Sequence, residues 1–375
     1  MRIVSVVGTR PQLIKAAALS PVLRARHEEI LVDTGQHYDD AMAGSFYREL
    51  GLAPPDHALA AGGGSHAEQT AAMLVGLEPI VTDRQPDAVL IYGDTNSTLA
   101  GALVGAKLGV PVAHVEAGLR SFDRRMPEEI NRVVADHLAR LLFAPTPTAI
   151  DNLRAEGIER GVVLVGDLMQ DLAARVGRDV APPAALGQAS RHLTGAAPGL
   201  DLRAGGYLFA TVHRADNREP DKLRAWAGLL DRLASPERPV ILAIHPGTRL
   251  ALERAGVALG PDVCVVDPQG YRTSLTLQLH AAAVLTDSGG VQREAAWLGV
   301  PCLVLRDTTE WVEAVATSGG RMVVIGLDTD RAVEELAALA PPDQAADLAR
   351  ARAATFDLPP AGAANAIVTA LEQGL

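Results

Sequence analysis

The sequence predicts an α/β protein built from two Rossmann-like, doubly wound parallel sheets. Short apolar runs, each about as long as one buried strand, alternate along the chain with longer runs of helical periodicity. Of the 375 residues, 48% are hydrophobic but only 3% are aromatic, a composition that suits helices packed on parallel sheets. The length itself predicts two domains of roughly 150 to 200 residues each.

Twelve apolar runs are predicted as strands, six in each half of the chain. They are residues 3–7, 30–33, 88–92, 110–115, 141–144 and 162–165, followed by 207–211, 240–244, 263–266, 283–286, 302–305 and 322–325. Between the halves, residues 176–205 are rich in Ala, Gly and Pro, which indicates a helix and a connector. We therefore expect a first domain over 1–172, a second over 173–355, and a last helix over about 356–375 that packs back on the first domain.

Charge and cysteine content limit the partners and the location. A formal net charge of −11 argues against nucleic acid and against an anionic membrane surface. The N-terminal apolar run is too short for a signal peptide or a membrane span, so we expect a soluble, cytoplasmic protein. Cys264 and Cys302 each lie inside an apolar run and are expected to be reduced core residues.

Charged residues follow the first predicted strand, at the edge where open α/β sheets bind ligands. Arg10 and Lys15 flank the start of a predicted helix, with Gly8 at the turn and Pro11 suited to a first helical turn. Two cations beside free backbone N–H groups predict an anion site. The alternative is an ordinary turn with solvated charges.

Carboxylates follow the third and fourth predicted strands. If these strands are neighbours, Asp94 and Glu116 lie in one crevice, where they are candidates for catalysis. In the alternative, Asp94 only caps a helix, and Glu116 forms an ion-pair cluster with Arg120, Glu128 and Arg132 that fixes a loop. On the functional interpretation, Arg120 and Arg132 hold Glu116 and Glu128 in place.

The second half carries the strongest nucleotide-binding signal. The segment Ser288-Gly289-Gly290 follows an apolar run and opens a helix, so its backbone amides can hold a diphosphate, and Glu294 one turn later can accept both ribose hydroxyls. The alternative is a capped helix with a surface glutamate. His213 and His245 also follow predicted strands, although a single histidine is more often structural.

The chain lacks a G-x-G-x-x-G fingerprint after its first strand. The triple glycine at residues 62–64 follows no convincing strand and is predicted as a flexible loop. Redox chemistry with a nicotinamide cofactor is therefore not favoured.

Six motifs, in order along nearly the whole chain, resemble the non-hydrolysing UDP-N-acetylglucosamine 2-epimerases. They are Gly8-Thr-Arg-Pro11, Gly93-Asp-Thr95, His114-Val-Glu-Ala-Gly118, Pro127-Glu-Glu129, Asp287-Ser-Gly-Gly290 and Arg306-Asp-Thr-Thr-Glu310. The resemblance implies a GT-B-like fold whose two domains face across a cleft, with UDP held mainly by the second domain. It also implies a homodimer.

The implied reaction interconverts UDP-N-acetylglucosamine and UDP-N-acetylmannosamine, with no redox cofactor and no metal. UDP is eliminated to give a 2-acetamidoglucal and is then added back after a proton reaches the opposite face of C2. By resemblance, the catalytic carboxylates are Asp94, Glu116 and Glu128, and His213 assists the UDP phosphate. The residues matching UDP-contacting positions are Arg10, Lys15, Gln269, Ser288, Gly289, Gly290 and Glu294. His245 is a further candidate for substrate binding.

Two departures from the family pattern bear on substrate and regulation. Trp311-Val312 stand where many members carry Arg-Pro, so Arg306 is expected to supply the missing cation. Trp311 is similar to a variant in relatives that act on UDP-2,3-diacetamido-glucuronate, which makes that 2-epimerase an alternative function. Asp39 replaces a Gln typical of substrate-activated members, so allosteric activation is not expected. The motifs also leave open a hydrolysing 2-epimerase, a GT-B glycosyltransferase and a non-catalytic sensor of nucleotide sugars.

Overall fold

The structure is a computed structural model that describes residues 1–36, 47–195 and 200–375. The prediction that rests on Asp39 lies outside these residues. The described chain forms two compact units, Met1–Leu172 with Pro359–Leu375 and Ala173–Leu358.

The first unit is built on a seven-stranded sheet in which every neighbouring pair is parallel. Its strands are β1 (Arg2–Val7), β2 (Glu28–Asp33), β3 (His57–Ala58), β4 (Ala88–Tyr92), β5 (Val112–Val115), β6 (Leu141–Ala144) and β7 (Val162–Leu164). The order β3-β2-β1-β4-β5-β6-β7 places β1 and β4 at the centre, where the chain reverses its direction of winding. Ligand sites of open α/β sheets lie at such a point.

Helices connect the strands of the first unit. They are α1 (Arg10–Arg24), α2 (His66–Arg84), α3 (Asn96–Lys107), α4 (Pro127–Leu138) and α5 (Pro147–Ala155), and α6 (Leu168–Val180) contains the boundary between the units. Thr9 begins α1 with a capping box, and Pro11 lies in its first turn. Ser65 begins α2 in the same way. The glycines at 62–64 lie in the loop between β3 and α2, which confirms the predicted loop.

The second unit is built on a six-stranded sheet, again with every neighbouring pair parallel. Its strands are β8 (Leu208–Val212), β9 (Val240–Ile244), β10 (Val263–Val266), β11 (Ala283–Thr286), β12 (Cys302–Val304) and β13 (Met322–Val324). The helices are α7 (Pro183–Arg191), α8 (Pro220–Leu233), α9 (Pro246–Ala255), α10 (Tyr271–His280), α11 (Gly289–Trp297), α12 (Val312–Thr317), α13 (Thr329–Leu339) and α14 (Ala345–Ala354), and one 3₁₀ turn spans Ala215–Arg218. The order β10-β9-β8-β11-β12-β13 puts the winding reversal between β8 and β11.

The last helix, α15 (Ala363–Gly374), packs against α1 in the first unit. Asp171 binds its N-terminus, because the backbone N–H groups of Gly362 and Ala364 donate to the two carboxylate oxygens at 2.8 and 2.9 Å. A charge-assisted contact of this kind satisfies backbone donors that a helix start leaves without partners.

Both sheets have aliphatic cores, and the predicted α/β class with two parallel sheets is confirmed. Each predicted apolar run overlaps an observed strand, and β3 is an addition at the sheet edge. Cys302 is buried, Cys264 is half-buried, and both thiols are free. Burial raises the pKa of the Cys302 thiol to about 12. Within the described ranges, no helix has the length and apolar character to cross a membrane.

Candidate active site

The carboxyl ends of β1, β4 and β5 meet at one edge of the first sheet. β4 pairs with both β1 and β5, and Tyr92 at the end of β4 is in register with Val115 at the end of β5. The condition for bringing Asp94 and Glu116 together, that their strands are neighbours, is therefore met. Asp94 lies two residues after the end of β4, and Glu116 lies one residue after the end of β5.

Asp94 binds an arginine and does not cap the helix that follows it. Thr95 is the N-cap of α3 and forms a capping box with Thr98. The Asp94 carboxylate instead forms an ion pair with the guanidinium of Arg132, and Asn131 donates to the Asp94 carbonyl at 3.0 Å. The interpretation of Asp94 as only a helix cap is wrong.

Glu116 has a left-handed backbone, with φ of +69°, and its carboxylate forms an ion pair with Nζ of Lys15. The two side chains are only 11% and 6% exposed. A left-handed backbone costs a non-glycine residue about 1–2 kcal/mol, so the surrounding contacts must stabilise it. A Cβ on Gly93, itself at φ of +62°, would lie 3.3 Å from both Glu116 Oε2 and Lys15 Nζ. A side chain at position 93 would therefore crowd the ion pair.

A buried histidine ties these strand ends together. His114 is fully buried on β5, with Nδ1 2.7 Å from Asp136 Oδ1 and Nε2 2.7 Å from the Gly93 carbonyl. The other oxygen of Asp136 accepts from the backbone N–H of Gly118 at 3.1 Å. Burial raises the pKa of Asp136, but the contacts with His114 and Arg120 outweigh it and lower the pKa below its usual value. The network therefore fixes the backbone on both sides of the carboxylate pair.

Arg120 belongs to this buried network and not to the candidate catalytic carboxylates. Its guanidinium contacts Asp136 at 2.7 Å and Glu156 at 2.7 Å, and its side chain is 1% exposed. The hypothesis that Arg120 holds Glu116 or Glu128 in place is therefore wrong. The expected ion-pair cluster of Glu116, Arg120, Glu128 and Arg132 is also not the arrangement found, since Arg120 binds Asp136 and Glu156 and Arg132 pairs with Asp94 and Glu129.

Arg132 on α4 binds two acidic side chains, one in the first turn of its own helix and one just after β4. It pairs with Asp94 and, at 3.1 Å, with Glu129. Glu129 is buried and also accepts from the backbone N–H and hydroxyl of Ser121 at 2.9 Å. Glu128, the residue singled out from the sequence, is exposed in the first turn of α4. Glu129 therefore fixes the loop, and Glu128 is the accessible member of the two.

In the second unit, the Ser288-Gly289-Gly290 segment opens a helix as predicted. Ser288 is the N-cap of α11, and its hydroxyl accepts from a backbone N–H one turn into the helix. Glu294 is buried, and Gln278 donates to its Oε2 at 2.6 Å. The alternative of a surface glutamate is therefore wrong, and the start of α11 presents backbone donors in the manner of an anion site.

Three charged side chains follow β8 and β12. Arg306 and Arg214 both form ion pairs with Glu310, the latter at 2.8 Å. Burial raises the pKa of Glu310, but these two cations lower it to about 2. Arg306, expected from the sequence to bind the substrate diphosphate, therefore binds a carboxylate in this structure.

Trp311 packs against the start of α11. The Arg293 guanidinium lies 3.7 Å from the Trp311 ring centroid, and a Cβ added to Gly289 would lie 2.8 Å from Trp311 Nε1. Such a stack of arginine on indole stabilises both side chains. Sequence reasoning noted Trp311 but missed Arg293, the cation on α11 that it contacts.

The remaining residues singled out for substrate binding lie at helix starts or loop positions. Gln269 is buried and donates to the Asp267 carbonyl at 2.6 Å and to Thr194 Oγ1 at 3.1 Å. His245 is the exposed N-cap of α9, and its Nδ1 accepts from a backbone N–H at 3.1 Å. Arg10 is half-buried as the first residue of α1.

His213 follows β8 and is paired with an acidic residue that follows β11. Its side chain is 45% exposed, and Nδ1 lies 3.1 Å from Oδ1 of the fully buried Asp287. Burial raises the pKa of Asp287, but contacts with His213, Arg214 and Asn217 lower it to about 2. The sequence pointed to His213 but not to this carboxylate as its partner. Among the residues that the structure describes, no cluster of three or more His, Cys, Asp or Glu could hold a metal ion.

These features define a class: a two-unit α/β protein with paired charges just after its central strands and, after β11 of the second sheet, a helix start that presents backbone N–H donors. The chain matches the family model described as UDP-N-acetylglucosamine 2-epimerase over residues 22–372, so it belongs to that family.

Known relatives agree with this assignment. The chain is 44% identical over 340 residues to the UDP-2,3-diacetamido-2,3-dideoxy-D-glucuronate 2-epimerase of Pseudomonas aeruginosa, covering 89% of this chain and 91% of the relative. A crystal structure of Methanocaldococcus jannaschii UDP-GlcNAc 2-epimerase in complex with UDP-GlcNAc and UDP is similar at TM-score 0.85 and 32% identity, over 100% of both chains. The Neisseria meningitidis UDP-GlcNAc 2-epimerase bound to UDP-GlcNAc is similar at TM-score 0.86 and 28% identity, also over 100% of both chains.

Proposed function

We propose that this protein is a non-hydrolysing 2-epimerase that interconverts UDP-N-acetylglucosamine and UDP-N-acetylmannosamine. The observation that carries the proposal is the pair of carboxylates, Asp94 and Glu116, that follow adjacent strands and are each bound to a cation. Family membership and the relatives crystallised with UDP-GlcNAc support the substrate class.

The chemistry explains why several acidic groups are needed. The hydrogen on C2 is not next to a carbonyl, so direct deprotonation would be slow at neutral pH. As the C1–O bond breaks, its electron pair leaves with UDP, and the C2–H pair forms the C1=C2 bond of a 2-acetamidoglucal while a base takes the proton. In the return step a proton reaches C2 from the opposite face and the UDP oxygen bonds to C1. Two faces therefore require proton-transfer groups on both sides of the sugar.

Within the first unit, we assign proton transfer to Asp94, Glu116 and Glu128. Arg132 binds Asp94 and Lys15 binds Glu116, and each cation holds its carboxylate in a fixed position. A fixed geometry reduces the reorganisation needed in the transition state.

Within the second unit, we assign UDP binding to the start of α11 and the residues around it. The Ser288-Gly289-Gly290 amides suit a diphosphate, and the buried Glu294 suits ribose hydroxyls. His213 assists the departing phosphate. His245, Gln269 and Arg306 of the second unit are also assigned to substrate binding, as are Arg10 and Lys15 of the first unit.

Proton NMR in deuterated water tests the mechanism. Deuterium should enter C2 as the two UDP-sugars equilibrate, and product that carries no label would refute elimination and re-addition. Glu116→Gln should abolish exchange while UDP binding, measured by calorimetry, persists. Glu78→Gln makes the same change at an exposed position on α2 and serves as the matched control. Continued exchange in Glu116→Gln would refute its catalytic assignment.

A second candidate substrate is UDP-2,3-diacetamido-glucuronate, favoured by the 44% identical relative that is named for it. Turnover of both UDP-sugars under the same conditions separates the candidates by their kcat/KM ratio. The same assay tests two further enzyme classes, since a hydrolysing epimerase would release UDP and free sugar, and a glycosyltransferase would need an acceptor.

We propose that the enzyme is a cytoplasmic homodimer that supplies activated sugar for cell-surface polysaccharide synthesis. The exposed apolar side chains of Val75 on α2 and Ile130 on α4 support self-association, and two free cysteines support a reducing compartment. Light scattering after size-exclusion chromatography tests the dimer, and a mass of one chain would refute it.

We also propose that the two units act as domains, residues 1–172 with about 356–375, and 173–355.

A further inference from the structure

The carboxylate of Asp287 accepts hydrogen bonds from the segment that begins at His213. Oδ2 accepts from the backbone N–H of Arg214 at 3.0 Å and from Nδ2 of Asn217 at 2.9 Å. The backbone N–H of His213 lies 3.2 and 3.1 Å from the two oxygens, and the His213 ring nitrogen Nδ1 lies 3.1 Å from Oδ1. The carboxylate is fully buried, so its position is fixed by contacts on both oxygens.

The strand register places these residues side by side. β8 and β11 pair in parallel, with Thr211 opposite Thr286, and the hydroxyls of these threonines are 2.7 Å apart. Asp287 follows Thr286 directly, and His213 lies two residues after Thr211, at the same sheet edge. The contact between them is therefore set by the rigid centre of the second sheet, which is what a precise proton-transfer group needs.

The contact favours one position for the ring hydrogen. An ionised carboxylate can only accept, so Oδ1 at 3.1 Å favours a hydrogen on Nδ1 of His213, and a neutral ring then exposes a lone pair on Nε2. When Nε2 is also protonated, the positively charged ring lies next to the buried negative charge of Asp287. This is the arrangement of histidine and aspartate that serves proton transfer in serine proteases.

We propose that Asp287 is a positioning residue that keeps His213 in the Nδ1–H form, so that Nε2 exchanges a proton with the diphosphate of the substrate. The proposal rests on the proposed function. As the C1–O bond breaks, the Nε2 proton passes to the leaving phosphate oxygen, and the ring remains neutral with its hydrogen on Nδ1. On re-addition the same proton returns to Nε2 as that oxygen bonds to C1, so the step balances in both directions.

Asp287→Asn should reverse the tautomer. The Oδ2 position faces three N–H donors and must keep the amide oxygen, which leaves the amide NH₂ at the Oδ1 position, facing His213 Nδ1. Because an NH₂ group can only donate, Nδ1 would become the acceptor and the hydrogen would move to Nε2. The ring would then be unable to take a proton at the nitrogen that faces the substrate.

The test uses ¹⁵N-histidine NMR of the full chain, with His213 signals assigned by their loss in His213→Gln. In the natural protein with a neutral His213 ring, Nδ1 should carry the hydrogen. In Asp287→Asn, Nε2 should carry it, kcat should fall by about 10² to 10⁴-fold, and the Kd for UDP should stay within about threefold. Asp216→Asn, the same change at an exposed neighbouring residue, is the matched control and should alter neither the tautomer nor kcat.

Each result bears on the proposal. A hydrogen on Nε2 of His213 in the natural protein would overturn it, and this measurement needs no folded variant. A loss of kcat in Asp287→Asn with the tautomer unchanged would also overturn it. The NMR readout needs no substrate, so a tautomer switch in a protein without epimerase activity would refute the proposed function and leave the pairing of Asp287 with His213 intact.

Discussion

Asp136→Asn should destabilise the first unit more than any exposed charge change on the same network. The carboxylate contacts His114 and Arg120, each at 2.7 Å, and all three side chains are at most 1% exposed. Replacing it with an amide of the same shape leaves a buried guanidinium and a buried ring without their shared negative charge. Breaking a buried ion pair in this way costs about 3–5 kcal/mol.

Glu156→Gln is the matched control, because Glu156 binds the same guanidinium from a more exposed position. Its side chain is 27% exposed and that of Asp136 is 0% exposed, so water can replace part of the Glu156 contact. Both variants remove a negative charge from the same arginine, but only Asp136→Asn also removes it from the buried His114 ring. We therefore expect Asp136→Asn to cost more than Glu156→Gln.

Hydrogen exchange measured by mass spectrometry on β5 and α4 peptides reports this loss locally. A loss of about 3 kcal/mol corresponds to exchange that is roughly 10²-fold faster. The lowered pKa of Asp136 means that its contribution is present above the unfolded carboxyl pKa near about 4 and is lost as pH falls through the folded value. The difference between natural protein and variant should thus shrink in acid. Equal costs for the two variants would refute the reasoning.

Three further outcomes follow from the geometry. Gly93→Ala places a Cβ at φ of +62°, within 3.3 Å of the Lys15–Glu116 pair. It should lower kcat and destabilise the fold by about 1–2 kcal/mol, and an unchanged kcat would contradict this expectation. Asp171→Ala removes two contacts to the start of α15 and should cost about 1 kcal/mol, seen as faster hydrogen exchange confined to that helix. The Cys302 thiol, with its pKa raised to about 12, stays protonated at a pH of about 8 and should resist thiol reagents until the chain unfolds.

Most of the fold could be predicted because a buried parallel strand is a short apolar run with few other interpretations. β3 was missed because it has two residues, His57 and Ala58, at the edge of the sheet, and neither is buried. Two residues cannot display an alternating or continuous apolar pattern. The strand exists because β2 offers a free edge, which is a property of the assembled sheet.

The positions of the candidate catalytic carboxylates were predictable, but their partners were not. Strand ends locate Asp94 and Glu116, since both follow apolar runs. Closeness in sequence suggested Arg120 as the partner of Glu116, yet Lys15, 101 residues away, occupies that place. Glu116 is left-handed, so the chain turns sharply there and the following residues leave along a new direction. Such a turn cannot be inferred from a glutamate, which rarely adopts it.

The two units each use a buried aspartate to hold a histidine, and the surroundings of the rings decide which histidine can move a proton. His114 is fully buried, and both of its nitrogens lie 2.7 Å from oxygen acceptors, so both ring nitrogens are committed to fixed partners. His213 contacts Asp287 through Nδ1 while 45% of its side chain is exposed. A proton can leave a ring only where an acceptor can arrive, and the His114 ring offers no such approach. His114 therefore shapes the backbone around Asp94 and Glu116, whereas His213 is suited to exchange a proton with a substrate.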